Sequence, residues 1–367
     1  MNNRNHFTIA IIKEARIDEN RTPFTPKQIQ TLITNFPNLN ILVQPSKNRC
    51  FKDEDYFKAG AKIEEDISRS DIIFGIKEVE ISKLIENKTY LFFSHTSKVP
   101  KDAHQNTQDA AIIYKKELLR EILKKNITLI DYENIREESK EAYRYLGFGR
   151  FAGIVGCYNT LNLYLKLHKK QMMSRAFEIN SYKKIKELVS KQDFNKLRIL
   201  QTGGGNVAKG SMEVLKHANI KQISINDYLN KKYDEAVFCT ISTGERVERI
   251  DGKKFSYEDF DANPHEYKSK IKNYLHDTDM FITGHYWEPK FPKLFHPNEI
   301  NKFKNLRIIG DITCDINGGV PTTIRSTTIA KPYYAVDVNS MKEIDLDNKG
   351  IAVMAVDNLP SELPNEA

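Results

Sequence analysis

The sequence predicts an α/β protein built from two Rossmann-like, doubly wound domains with a cleft between them, and three observations carry that expectation. Short apolar runs of strand type alternate with helical segments through the first third of the chain. A long, mostly apolar helical stretch follows at 151–173. Beyond it, the strand-like run LRILQTG (197–203) opens a second alternating unit. A chain of 367 residues exceeds what one ordinary core serves. The expected division is 1–150 and 151–325.

Each element has its own signal. FTIAIIK (7–13) is a short apolar run ending in charge, read as a strand. TPKQIQTLITNF (25–36) opens a helix with Thr25 as N-cap and Pro26 at the first helical position. NILVQPS is the next strand, and DEDYFKAG (53–60) a short helix stopped by Gly60. DIIFGIK (71–77), TYLFFSH (89–95) and NITLIDYE (126–133) are further strands, the first two separated by a helical stretch rich in acids and lysines. Strands joined through helices argue for parallel pairing.

Composition sets the class. The chain is 40% apolar, 29% charged and 10% aromatic, which is globular rather than disordered. Its net charge of +7 is spread among acids rather than gathered in a stripe, so nucleic acid is not an expected partner. Cys50, Cys157, Cys239 and Cys314 are far apart and form no CxxC pair. They read as reduced thiols, and no metal site is expected. No apolar run is long enough to span a bilayer and no secretory leader is evident, so a cytoplasmic protein without a membrane partner is expected. Nothing in the pattern specifies oligomeric state, and a homo-oligomer is compatible with it.

The glycine-rich run Gly203-Gly204-Gly205-Asn206-Val207-Ala208-Lys209-Gly210 follows a strand and opens a helix. Gly203, Gly205 and Ala208 fit G-x-G-x-x-G/A: the first permits the tight turn, the second admits a pyrophosphate, and the small third allows close packing. The amides from Gly205 through Asn206, Val207 and Ala208 then face the phosphates with the helix dipole behind them. Asp227, read at the end of a second strand QISIND, stands at the distance where an acid binds ribose hydroxyls. The cofactor is therefore NAD or NADP, the acid favouring NAD.

Lys77 ends one strand of the first domain and His95 another, at the carboxyl ends that face the ligand crevice in open parallel sheets. Burial lowers a lysine pKa and histidine titrates near neutrality, so the pair suits proton donation and removal in one reaction. Arg21 and Arg144 offer guanidinium forks for carboxylates. Glu133 ends LIDYE and suits a substrate ammonium.

Taken together, these stretches resemble a known family. IKEARIDENRTPFTP resembles the start of the alanine dehydrogenase, transhydrogenase and saccharopine dehydrogenase group. GIKE (75–78), FFSHTSK (92–98), FGRFAGIVG (148–156), GHYWEPKFPKL (284–294), GDITCDINGG (310–319) and STTIAKPYY (326–334) extend the likeness over essentially the whole chain. With VDNLPSELPNEA (356–367), the set most resembles the lysine–2-oxoglutarate reductase part of a bifunctional lysine-degrading enzyme, and next the lysine-forming saccharopine dehydrogenases.

The resemblance implies an NAD(P)-dependent oxidoreductase that joins L-lysine to 2-oxoglutarate through an imine, reduced to saccharopine, or the reverse. It implies Lys77 and His95 as the acid–base pair, and Arg21, Glu133, Arg144 and Asp357 as substrate-site residues. Residues 1–150 are then the substrate and catalytic domain, joined by a returning 326–367, and 151–325 the dinucleotide-binding domain. The stretch before GHYWE is longer than in alanine dehydrogenases, and the chain stops at Asn365-Glu366-Ala367 where the family continues. Two other readings stay open: an alanine dehydrogenase-like enzyme, and a non-catalytic transhydrogenase-type dinucleotide module.

Overall fold

The computed structural model describes residues 6–99, 110–137 and 140–367. It divides into two compact units, Met1–Gly147 and Phe148–Ala367, three residues earlier than the sequence boundary.

In the first unit β1 (Phe7–Ile11) leads to α1 (Pro26–Asn35), β2 (Leu39–Val43), α2 (Asp53–Lys58), β3 (Lys62–Ile63) and β4 (Ile72–Phe74). Next come β5 (Thr89–Phe92), α3 (Ala110–Lys124) and β6 (Thr128–Asp131). The spatial order is β3-β2-β1-β4-β5-β6, every pair parallel. α1 begins as its sequence requires. Thr25 accepts from the Gln28 amide, the Gln28 side chain returns to the Thr25 amide, and Pro26 fills the first position, where no N–H is needed. Both sheet faces are apolar: Ala10, Ile12, Leu42 and Ile73 pack on one side, Ile9, Ile11, Ile41 and Val43 on the other. That two-sided burial is what a doubly wound parallel sheet demands.

The strands are shorter than their apolar runs, because β4 stops at Phe74, β5 at Phe92 and β6 at Asp131. The residues beyond β4 and β5, joined by a few irregular hydrogen bonds, lie at the carboxyl ends of those strands. Between β4 and β5 the expected helix is only a 3₁₀ turn, Ile81–Lys83. Val79 and Ile81 there alternate rather than repeat at helical spacing. An antiparallel hairpin, β7 (Arg136–Glu137) and β8 (Lys140–Arg144), closes the unit.

The second unit starts on α4 (Gly149–Leu167), buried on almost every side. It ends before the expected Met173: Lys169 takes a left-handed conformation (φ +52°) and breaks the helix. After α5 (Ala176–Ile179) and α6 (Tyr182–Val189) come β9 (Arg198–Thr202), α7 (Asn206–His217), β10 (Lys221–Gln222), α8 (Ile225–Asn230) and β11 (Val237–Ile241). They are followed by α9 (Thr243–Arg246), a hairpin of β12 (Val247–Arg249) and β13 (Tyr267–Ser269), then β14 (Met280–Thr283), β15 (Ile308–Asp311), β16 (Tyr333–Val336), β17 (Glu343–Ile344) and β18 (Ile351–Met354). The main sheet runs β10-β11-β9-β14-β15-β18-β16-β17, with β16 antiparallel to both its neighbours.

Two expectations are corrected here. Residues 326–367 do not return to the first unit: β16 and β18 extend the second sheet, because their side chains supply part of its core. The last turn, Leu359–Glu362, docks on α4. Leu359 and Leu363 join that core, and buried Glu362 accepts hydrogen bonds from Asn159 (2.8 Å) and Arg175 (2.9 Å). The motif DNLPSELP is thus in large part an anchor. Secondly, the strand expected at QISIND is only the two-residue edge strand β10, Lys221–Gln222, which pairs with β11 while β9 lies between β11 and β14.

Candidate active site

In the first sheet, β1, β4, β5 and β6 lie side by side and parallel, so the residues just past their ends form a row. Glu14 lies three residues past β1, Lys77 three past β4, His95 three past β5 and Glu133 two past β6. The ladder continues irregularly to hold them, Gly75 donating to Leu91 and Phe93 to Ile76. This row spans the point between β1 and β4 where the strand order reverses, the usual ligand crevice of such a sheet. Of the four, Glu14 is the one the sequence reading overlooked, though it directly follows a strand in the same way as Lys77.

Contacts tune each group. Glu14 accepts the Ile76 amide (2.7 Å) and the Lys77 amide (3.0 Å). Burial nonetheless outweighs these bonds and raises its carboxyl to about 7. Burial first, and the charge of Arg21 second, depress the Lys77 ammonium, against the opposing pull of Glu78 and Glu19. His95 adopts a left-handed backbone (φ +53°) and places Nδ1 3.1 Å from Glu133 Oε1, with Nε2 3.9 Å from Glu78 Oε1. Glu133 is buried, and its amide donates to Asp131 (2.9 Å), which also takes the Ser94 hydroxyl. The structure thus places Lys77, His95 and Glu133 past the ends of three adjacent strands, with His95 against Glu133.

The arginines differ. Arg144, half-exposed on the hairpin, reaches Glu133 Oε1 at 3.4 Å. Arg21 is 3% exposed, with Nε and Nη2 forked on the Glu19 carboxylate at 2.7 and 2.6 Å. Burial works to raise the Glu19 carboxyl, but the bonds and charge of Arg21 prevail and hold it low. Glu19, two positions before Arg21, was legible only as one acid among several in EARIDENR.

In the second unit the glycine turn has the form its sequence requires. Gly203 has φ +107°, and a β-carbon there would come within 2.4 Å of the Gly284 carbonyl. Over Gly204 and Gly205 such an atom would meet nothing within 4 Å. Gly205 is the N-cap of α7 and gives no side-chain bond, so the amides of Asn206, Val207 and Ala208 start the helix without a side-chain cap. Gln201 ties β9 to this helix, donating to Ala208 O (2.9 Å) and accepting from Ser211 (2.6 Å). Gly210 serves neither turn nor strand: it and Gly153 let α7 and α4 touch backbone to backbone. A turn open over Gly204 and Gly205 and a helix start without a side-chain cap fit a dinucleotide pyrophosphate.

Asp227 is displaced from its expected place. It lies in the first turn of α8, not at a strand end, and pairs with Lys231 at 2.9 Å. Ser224 caps that helix, converting the expected strand QISIND into a turn and helix. At the end of β11, the strand that does flank β9, the nearby acid is Glu245, whose carboxylate caps α9 through the Ser242 amide (2.7 Å). Asp357 is exposed three residues past β18. Among the described residues no metal-ligand cluster occurs, and no helix is long and apolar enough to cross a membrane.

Comparison with known proteins gives a consistent set of likenesses. Residues 10–154 match the family described as alanine dehydrogenase/PNT, N-terminal domain. The chain is 30% identical over 396 residues to alpha-aminoadipic semialdehyde synthase of Arabidopsis thaliana, an alignment covering 95% of this chain and 36% of that protein. It is 24% identical to saccharopine dehydrogenase (NAD(+), L-lysine-forming) of Neurospora crassa, covering 95% of this chain and 84% of the other. The chain thus spans well under half of the first relative and most of the second. A solved L-alanine dehydrogenase superposes with a TM-score of 0.57 at 14% identity, covering 98% of this chain and 84% of the other, a likeness of fold.

Proposed function

We propose, for a chain that belongs to the saccharopine dehydrogenase and lysine–2-oxoglutarate reductase family, that it catalyses the NAD(P)-dependent, reversible reductive condensation of L-lysine with 2-oxoglutarate. The observation that carries this reading is the row of Lys77, His95 and Glu133 at the ends of three adjacent parallel strands. Condensing an amine with a ketone needs a base to free the amine and an acid to help water leave. Lys77, its ammonium depressed by burial and by Arg21, spends more of its time as the neutral amine and is suited to take the proton. His95, its Nδ1 3.1 Å from Glu133, is suited to deliver one to the departing hydroxyl. Arg144 and the exposed Asp357 are proposed on the substrate side. Arg21 acts there through its charge on Lys77 as well.

The nicotinamide would supply the hydride, held at Gly203, Gly205, Asn206, Val207 and Ala208. Asp227 would contribute to holding the ribose only from the α8 surface. Three carboxylates on saccharopine suit a chain of positive net charge. The test follows NADH and NADPH oxidation with lysine plus 2-oxoglutarate, beside pyruvate plus ammonia. Oxidation is expected with the first pair. Oxidation only with the second makes the protein an alanine dehydrogenase-like enzyme, and none with either favours a non-catalytic dinucleotide module.

A further inference from the structure

Among the described residues, the second unit buries a cation that no carboxylate answers. Arg246 ends α9, just past β11, and is 1% exposed. Its Nε and Nη1 make no hydrogen bond among the described residues. Nη2 lies 3.5 Å from the Tyr286 carbonyl, a marginal contact, and the guanidinium carbon stands 5.9 Å from the Phe260 ring centroid. Burial lowers its pKa to about 10, still leaving it charged at neutral pH. Ordinarily an interior arginine is paired, because an unanswered buried charge is costly.

A second unpartnered group stands on the neighbouring strand. His285, two residues past β14, is buried, with Nδ1 2.7 Å from the Thr202 hydroxyl and no partner for Nε2. Burial, then the charge of Arg246, push its pKa well down, so the ring is neutral. The Thr202 hydroxyl and Nδ1 share one hydrogen bond, and in the tautomer in which the hydroxyl donates, Nε2 carries the proton and is a donor without an acceptor. Thr202 is the last residue before Gly203, and Gly203 packs against the Gly284 carbonyl. The two orphan groups, Arg246 on α9 and His285 on a loop, therefore come from the segments after β11 and β14, the strands on either side of β9 and its turn.

We propose that Arg246 and His285 form an oxyanion-receiving site beside the glycine turn, taking a phosphate or carboxylate group of the ligand bound there. This rests on the dinucleotide reading of the turn and extends it. The guanidinium fork matches two oxygens of either group, and the imidazole adds a third donor.

The experiment measures affinities of the full chain for NADH, NADPH and inorganic pyrophosphate, and KM for 2-oxoglutarate, in the wild type and in Arg246→Met. Methionine keeps apolar volume and removes the unanswered charge, so the melting temperature should hold or rise. If the dinucleotide supplies the oxyanion, its Kd and that of pyrophosphate rise at least about tenfold, the loss of one charged hydrogen bond. If the substrate carboxylate supplies it, KM for 2-oxoglutarate rises by as much while dinucleotide Kd stays put. Arg246→Lys recovers part of either loss. A folded Arg246→Met with every constant within about twofold of wild type overturns the proposal. Should that variant not fold, His285→Asn serves instead, and unchanged constants there overturn it equally. A wild type that binds neither dinucleotide defeats the functional reading, while the pyrophosphate arm still judges Arg246.

Discussion

At the carboxyl edge of the first sheet the proposed chemistry rests on side chains, Glu14, Lys77, His95 and Glu133, of which burial raises the Glu14 carboxyl and lowers the Lys77 ammonium. At the same edge of the second sheet it rests on the main chain, a left-handed glycine and the amides that open α7. The two edges share parallel strands and short loops. Proton transfer needs titratable groups whose pKa values the fold can move, whereas a pyrophosphate needs fixed donors and empty space. The first edge is consequently sensitive to charge and the second to shape.

That contrast can be broken by experiment. The largest effect is expected from Lys77→Met, which should cost about 10²- to 10⁴-fold in kcat while dinucleotide Kd stays near wild type. Stopped-flow turnover beside fluorescence titration checks it, and retained turnover would reduce Lys77 to a solvated strand end. Gly203→Ala should do the converse. A β-carbon 2.4 Å from the Gly284 carbonyl, on a backbone at φ +107°, is expected to cost about 1–3 kcal/mol in stability and to weaken dinucleotide binding. Thermal melts and titration of the same protein would show a harmless alanine if the turn were looser than described.

A third, smaller effect separates the edges by pH. The Glu14 carboxyl is raised from 4.5 to about 7 by burial, so the folded protein keeps a proton that the unfolded chain releases. Its contribution is therefore full below pH 4.5 and is lost as pH climbs through 7. Melting temperature should fall across that window in the wild type, and the fall should shrink in Glu14→Gln; an identical slope in both would assign the dependence elsewhere. The smallest effect is expected from Asp227→Ala, since a solvent-facing i,i+4 pair with Lys231 contributes little. Dinucleotide Kd should stay within about twofold, as befits a contribution made from the α8 surface, and a larger loss would make Asp227 a principal ribose ligand.

Much of this was legible from the residues alone, for identifiable reasons. The strand alternation, the Thr25-Pro26 helix start and the glycine turn are local patterns, and each took the predicted form. Lys77, His95 and Glu133 could be placed because a strand's end can be read from where its apolar run meets charge. What could not be read depends on pairing between distant segments. QISIND looks like a strand, yet β11 stands between β10 and β9, and nothing within those six residues records that order. The tail 326–367 likewise has apolar runs that suit either unit, and only the sheet decides which. Glu19 and Arg246 show the same limit in charge: whether an arginine is answered is a property of three dimensions.

The contact of α4 with α7 at Gly153 and Gly210 has a mechanical consequence. Most helix pairs meet through a layer of side chains that can shift rotamers and absorb small displacements. Here a β-carbon at Gly153 would lie 1.9 Å from the Val207 carbonyl, and one at Gly210 2.0 Å from that of Arg150, so no such cushion exists. The two helices behave as one beam, and the amides at the start of α7 are seated on a nearly incompressible support. Any give that admits a ligand to the turn has to come from its open side, over Gly204 and Gly205.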